Sequence, residues 1–240
     1  MQLKKILGSI RKVDEIYHLI DANDKIAVGV SGGKDSVLLL YCLSLYQRFA
    51  NKPFEVIGIA IDLGFKNDLS PISSFFQKLD IEFIIEPTHI ARILDLNLNK
   101  DQIDCSLCST LKKGALVKVA KDNHCNKIAL GHNADDAIET LLLNSIYGGK
   151  LAVFQPKQYL SRDNISFIRP LIYAYETEIL NACIKHHIPI VSSNCPKDGN
   201  SKRQAMKEML TTLYDLYPQA KSNFLLMLHN EDQTSLWHPK

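Results

Sequence analysis

Two periodicities of apolar residues alternate along the chain. Residues 25–30 form a short β-branched run that closes on a glycine turn, which predicts a buried strand. From residue 36 to about 49 the apolar positions Leu38, Leu39, Cys42, Leu43 and Leu45 recur at helical spacing. Residues 54–61 predict a second strand, and Pro71, suited to a first helical turn, opens a helix to about residue 79. Strands follow at 81–85 and 127–130, then a fifth at 188–191 behind a helix over 176–187. Strands separated by helices imply βαβ units and a parallel sheet covered on both faces. The expected fold class is therefore α/β, a doubly wound parallel sheet of about five strands with a helical C-terminal extension. Residues 148–170 break the rhythm with Gly148-Gly149, Pro156 and Asp163-Asn164, suggesting a loop and a hairpin across the sheet's active edge. The expected organisation is a helical segment at 1–24, a catalytic domain at 25–195 and a helical extension at 196–240.

Composition narrows this picture little. The 240 residues suffice for one domain with an appendage; 46% are hydrophobic and 22% charged, ordinary for a soluble globular protein. No apolar run approaches the roughly 18 residues of a membrane span, and the charged N-terminus lacks a signal-peptide core, so a cytoplasmic location is expected. A net charge of +2 does not announce a nucleic-acid binder. Basic clusters at Lys4, Lys5, Arg11 and Lys12, at Lys112, Lys113, Lys118 and Lys121, and at Lys197, Lys202, Arg203 and Lys207 read as solvated faces before they read as nucleic-acid contacts.

The chemistry begins at Ser31-Gly-Gly-Lys-Asp-Ser36, between the first strand and its helix. Backbone N–H groups and the positive end of a helix dipole meet an anion there, and glycines let the backbone approach it closely. Lys34 adds charge, and Asp35 is placed to help hold a magnesium ion bridging phosphates. The spacing is not that of the kinase-type loop, and a plain small-residue turn would not need all six residues in this order. The loop resembles the signature of the PP-loop ATP pyrophosphatase superfamily, with its adenine nucleotide alpha-hydrolase-like fold. That resemblance implies transfer of AMP to a substrate oxygen with loss of pyrophosphate, and a nucleotide contact at Asp62.

Six cysteines occur, at positions 42, 105, 108, 125, 183 and 195. Cys105-Ser-Leu-Cys108 alone suits a redox pair, half a zinc site or part of an iron–sulfur site. No thioredoxin-like strand precedes it, and no second C-x-x-C completes a zinc finger. Cys195 is the obvious third thiol; Cys42, Cys125 and Cys183 sit in apolar patterns and read as structural. Beyond the fourth strand, Gly131-His132 precedes Asp135 and Asp136 at a helix start, where acids also serve as caps.

Together these motifs resemble the tRNA 2-thiocytidine synthetases. Residues 31–36, Cys105 and Cys108, Gly131-His132, Asp135-Asp136, Glu139-Thr140-Leu141, Tyr147-Gly-Gly-Lys150-Leu151, Ile168-Arg169-Pro170-Leu171, Cys195 and Arg203-Gln204 occur in that family's order over roughly residues 20–225. The resemblance implies an ATP- and Mg2+-dependent tRNA sulfurtransferase that adenylates the C2 oxygen of a cytidine, which sulfur then replaces. It implies nucleotide contacts at Ser31, Gly32, Gly33, Lys34, Asp35, Ser36, Asp62, Gly131 and His132, and a 4Fe-4S cluster on Cys105, Cys108 and Cys195. Asp35, Lys112 and Asp135 fall at catalytic positions, and Lys150, Arg169 and Arg203 at substrate-binding ones. Implied partners are tRNA, a sulfur donor such as a cysteine desulfurase or free sulfide, and a second copy of the chain; no membrane is implied.

The chain departs from the family pattern in places. Ser193-Asn194-Cys195 stands where a Cys-Asn-Leu-Cys stretch is common, Asn133 where a second His is frequent, and the N-terminal segment is shorter and less basic. Less positive charge weakens phosphate binding. A PP-loop thiolase or amidating enzyme for another base or a small molecule is thus an alternative. A nucleotide- and cluster-binding protein without turnover is another, opposed by the retention of Asp35, Lys112 and Asp135.

Overall fold

The computed structural model describes residues 2–96, 105–195, 202–230 and 232. In chain order the elements are α1 (Gln2–Tyr17), β1 (Asp24–Gly29), α2 (Lys34–Tyr46), β2 (Phe54–Asp62), α3 (Ser70–Gln77), β3 (Phe83–Pro87), α4 (Ile90–Leu96), α5 (Cys105–Asp122), β4 (Lys127–Ala129), α6 (Ala134–Gly148), β5 (Lys157–Leu160), β6 (Ile165–Ile168), α7 (Glu176–Lys185), α8 (Lys202–Leu216) and α9 (Ala220–Met227). They fall into two compact units: residues 1–133 with 155–198, and residues 134–154 with 199–240.

The first unit holds a six-stranded sheet of order β3-β2-β1-β4-β6-β5. All neighbours run parallel except the edge pair β5–β6, which is an antiparallel hairpin. β1 and β4 are nearly continuous apolar runs because both faces are covered. On one face lie Leu116, Val117, Val119 and Ala120 of α5, packed with Ile57, Ile59 and Ile128 of the sheet. α2 is buried along most of its length, including Val37, Leu38, Leu39, Leu40 and Leu43. At the end of the sheet where β1 begins, buried Lys127 donates to the Leu19 carbonyl at 2.8 Å and pairs with Asp21 and Asp24 at 2.6 Å each. Such a charge is tolerated in the interior only with its donors satisfied.

The fifth parallel strand is not where periodicity places it. Residues 188–191 form no strand; Pro189 has no N–H for a ladder, and the Val191 N–H instead donates to the Gly32 carbonyl at 3.0 Å. Residues 165–168, hidden inside the expected loop, pair with β4 in its place. The expected hairpin exists, but it extends the lateral edge of the sheet rather than crossing its active edge.

The second unit is helical. Ile138 of α6 meets Met206 and Leu210 of α8, with Phe224 and Leu225 of α9 packed against them. Residues 196–201 and 233–240 of the expected C-terminal extension lie outside the described residues.

Candidate nucleotide and thiol site

Residues 30–33 join the carboxyl end of β1 to α2, and the glycines answer two steric demands. Gly32 adopts φ +95°, where a side chain is strained, with Val191 as its near neighbour. Gly131, following β4, lies so close to α2 that an added Cβ would stand 2.9 Å from the Ser36 nitrogen and 3.0 Å from the Asp35 carbonyl carbon. Both are backbone atoms. Gly131→Ala is expected to destabilise the fold by the cost of overpacking, about 1–3 kcal/mol, seen as a lower melting temperature, and to weaken ATP binding with it. ATP affinity equal to that of the parent in a calorimetric titration would remove Gly131 from the phosphate site.

No side chain caps α2, whose N-cap is Gly33, so the first-turn amides face the loop in the manner that suits an anion. Ser36 ties the loop to itself: its Oγ accepts from the Ser31 N–H at 3.0 Å and donates to the Gly33 carbonyl at 3.0 Å. Asp35 is held on both carboxylate oxygens. Its Oδ1 accepts from Asn133 Nδ2 at 2.9 Å and its Oδ2 from Lys34 Nζ at 3.1 Å. Lys34 also donates to Glu176 at the start of α7, at 2.8 Å, and the two carboxylates hold its ammonium above the ordinary lysine value although burial opposes them.

Two cavities flank this loop within the first unit. One, of about 260 Å³, is lined by Ile59, Ile61, Leu116, Leu130, Gly131 and His132 with Ser31 and Asp35. The other, of about 480 Å³, is more polar; Lys34, Asp62, Asn67, Val191, Ser192 and Ser193 contribute to its wall. Ser31, Asp35 and Lys112 line both. Asp62 ends β2, and its Oδ1 accepts from the Gly64 N–H at 2.9 Å. His132 Nδ1 accepts from Arg169 Nε at 3.1 Å, which puts the proton of the neutral ring on Nε2. Arg169 is itself buried, which lowers its pKa.

The helix α5 carries Cys105 and Cys108 in its first turn and Lys112 one turn later, on the same face as Cys108. Burial pushes the Cys108 thiol up; Lys112 pulls it down, and Cys195 and Cys105 push it up again. Cys105 and Cys195, from two separate segments of the first unit, thus both act on Cys108. Among the described residues no three His, Cys, Asp or Glu side chains form a preset metal-ligand group. The donor set, three thiols in half-buried or exposed positions, nevertheless suits a soft metal or an iron–sulfur cluster. Burial lowers the pKa of Lys112 while Cys108 opposes the shift. The Cys195 segment is fastened at both ends: Val191 to Gly32 at 3.0 Å, and the Asn194 N–H to Asn67 Oδ1 at 2.9 Å. Cys42, Cys125 and Cys183 are buried, and burial raises all three, the last two to about 11.

The remaining anticipated residues belong to the second unit. Asp135, in the first turn of α6, pairs with Lys221 of α9. Arg203 Nη1 meets Asp136 at 2.8 Å, and its Nη2 meets the Thr140 hydroxyl at 3.2 Å. Lys150 is exposed beyond the end of α6. Sequence reasoning missed Asn133, Glu176 and Asn67 as partners of the site. Only Asn133 had a signal, its place directly after His132.

Residues 6–213 match the family described as the PP-loop domain. The chain is 35% identical over 235 residues to the tRNA-cytidine(32) 2-sulfurtransferase of Geobacter sulfurreducens, covering 96% of this chain and 91% of that one. It is 36% identical over 232 residues to the protein of the same name from Pelobacter propionicus, covering 95% and 86%. Among solved structures it resembles the U34-tRNA thiolase NcsA from Methanococcus maripaludis with its [4Fe-4S] cluster, with TM-score 0.78, 25% identity, and coverage of 98% and 81%. The NH3-dependent NAD synthetase of Campylobacter jejuni, at TM-score 0.51 and 18% identity over the whole of both chains, shares the fold alone. With the PP-loop domain matched over residues 6–213 and relatives 35–36% identical over nearly its whole length, the chain belongs to the PP-loop family of tRNA-cytidine(32) 2-sulfurtransferases.

Proposed function

We propose that this chain is an ATP-dependent tRNA sulfurtransferase that adenylates the C2 oxygen of a cytidine and replaces that oxygen with sulfur. The observation that carries the reading is the position of Asp35 and Lys112 on the walls of both cavities, with Cys108 one helical turn from Lys112. Residues 31–36 cradle the phosphates of ATP, and Asp35, held by Asn133 and Lys34, presents a carboxylate for Mg2+. Asp62, Gly131 and His132 complete the nucleotide site, and Arg169 acts on it by orienting His132. Attack of the C2 oxygen on the α-phosphorus expels pyrophosphate and leaves the oxygen as part of AMP, a good leaving group. Lys112 stands between the two centres, where its ammonium stabilises negative charge developing on that oxygen.

Cys105, Cys108 and Cys195 would hold a 4Fe-4S cluster, which on three thiolates supplies one iron with an open position for incoming sulfur. Asp135 serves proton transfer or substrate positioning, and Lys150 and Arg203 contact the nucleic acid. Cysteine desulfurase or free sulfide supplies the sulfur, and the working form is a homodimer. Among the described residues no helix is long and apolar enough to cross a membrane; the proposed compartment is the cytoplasm, where the tRNA is.

The decisive experiment is nucleoside mass analysis of bulk tRNA from a strain lacking this chain. Loss of 2-thiocytidine, restored by the parent gene, is expected. Unchanged 2-thiocytidine in a strain without any paralogue would overturn the cytidine assignment.

A further inference from the structure

Residues 146–152, at the end of α6 and just beyond it, are all exposed, yet three of them are large and apolar: Ile146, Tyr147 and Leu151, each more than half exposed. Exposed apolar side chains usually scatter singly over a surface. Here they are concentrated on a turn whose shape is fixed. The Lys150 N–H donates to the Asn144 carbonyl at 3.1 Å, Asn144 Nδ2 donates to the Ala152 carbonyl at 2.8 Å, and the Ser145 hydroxyl reaches the Lys150 carbonyl at 3.4 Å. Gly149 adopts φ +59°, and both it and Gly148 have open space around them, so backbone and not side chain forms the crest. From Asn144 to Ala152 there is no acidic residue. Lys150 lies in the turn, and Lys202, the first residue of α8 in the same unit, holds its Nζ 4.2 Å from the centre of the Tyr147 ring.

A fixed turn carrying an exposed aromatic ring, with one ammonium group over that ring and a second lysine in the same turn, matches an unpaired, stacked nucleobase flanked by phosphates. Every base has a π-face, and single-stranded recognition combines such rings with cationic tracks. A protein partner would call for a larger apolar patch without the paired lysines, and a lipid surface for a longer amphipathic face. We propose that Tyr147, with Lys150 and Lys202, is a stacking platform for one unpaired base of the RNA substrate and its adjoining phosphates. The proposal rests on the tRNA reading above and adds the contact through which the second unit grips a loop rather than a stem.

The probe is an RNA stem-loop with an unpaired cytidine in the loop, set against the same stem as a fully paired duplex. Binding is followed by fluorescence anisotropy at several salt concentrations. Tyr147→Ala is expected to weaken stem-loop binding about tenfold and to leave duplex binding unchanged, while Tyr147→Phe binds as the parent does. Lys202→Ala is expected to weaken binding and flatten its salt dependence by the share of about one phosphate. Parental affinity in Tyr147→Ala would sink the platform, as would equal weakening by Ala and Phe, which would assign the effect to the hydroxyl. A Tyr147→Ala protein that changes oligomeric state at unchanged RNA affinity would make the surface a self-contact and overturn the proposal. Failure of the parent chain to bind the stem-loop at all would count against the tRNA reading itself and remove the platform with it.

Discussion

Asp35→Ala is expected to reduce ATP-dependent pyrophosphate release about a thousandfold while leaving the iron content of the anaerobically purified protein unchanged. The carboxylate sits in the first turn of α2, and both its oxygens are occupied, by Asn133 Nδ2 at 2.9 Å and Lys34 Nζ at 3.1 Å. Those two contacts hold it in place, so that Asp35 would offer a magnesium ion a carboxylate that need not reorganise. Alanine removes the ligand and also one of the two anions that hold Lys34, leaving that ammonium with Glu176 alone among these contacts. The loss should fall on kcat more than on KM, because charge on the bridging oxygens grows as the bond to pyrophosphate breaks. Pyrophosphate release within about tenfold of the parent would remove Asp35 from the chemical step. Concurrent loss of iron would show that the phosphate and thiol sites had been wrongly separated.

Cys108→Ser is expected to do the opposite: the protein loses its brown colour and most of its iron, thiolation of tRNA falls below detection, and pyrophosphate release persists. Both Cys195 and Cys105 act on the Cys108 thiol, whose pKa burial raises. A serine hydroxyl does not deprotonate under conditions where a thiol bound to iron does, so a cluster built on these three thiols would lose one ligand. Cys125→Ser provides the contrast. Cys125 is 6% exposed and packed in the core cluster with Leu116 and Ile128. Its replacement should lower the melting temperature and leave the iron untouched. Full iron content in Cys108→Ser would reject the three-thiol site, and a colourless parent protein loaded with zinc would replace the cluster by another metal.

Much of the site is legible in the sequence because it depends on short-range constraints. Ser31-Gly-Gly-Lys-Asp-Ser36 is contiguous, and the strand before it and the helix after it have clear periods, so the strand–loop–helix unit can be read from the residues alone. Gly131 is different in kind. Its proximity to His132 marks a motif, but the reason no other residue suits the position is the backbone of Ser36, nearly a hundred residues away in the chain, standing 2.9 Å from where a Cβ would be. The fifth strand shows the same limit from the other side. Residues 165–168 and 188–191 are both short apolar runs, and periodicity does not rank them; Pro189 offered the only local clue, and strand pairing with β4 decided the matter.

By itself, the sequence determined the α/β class, the strand–loop–helix unit around residues 31–36 and the burial of Cys42, Cys125 and Cys183 in the core. These follow from local propensity and hydrophobic period, which each segment carries with it. Tertiary structure alone decided that Asn133 and Glu176 hold Asp35 and Lys34, that Arg169 donates to His132, and that Cys195 acts on Cys108. It also decided that Asp135 and Arg203 lie in a second unit, paired with Lys221 and Asp136. Such facts depend on contacts between residues far apart in the chain, and their energies come from burial and pairing that exist only once the sheet has formed.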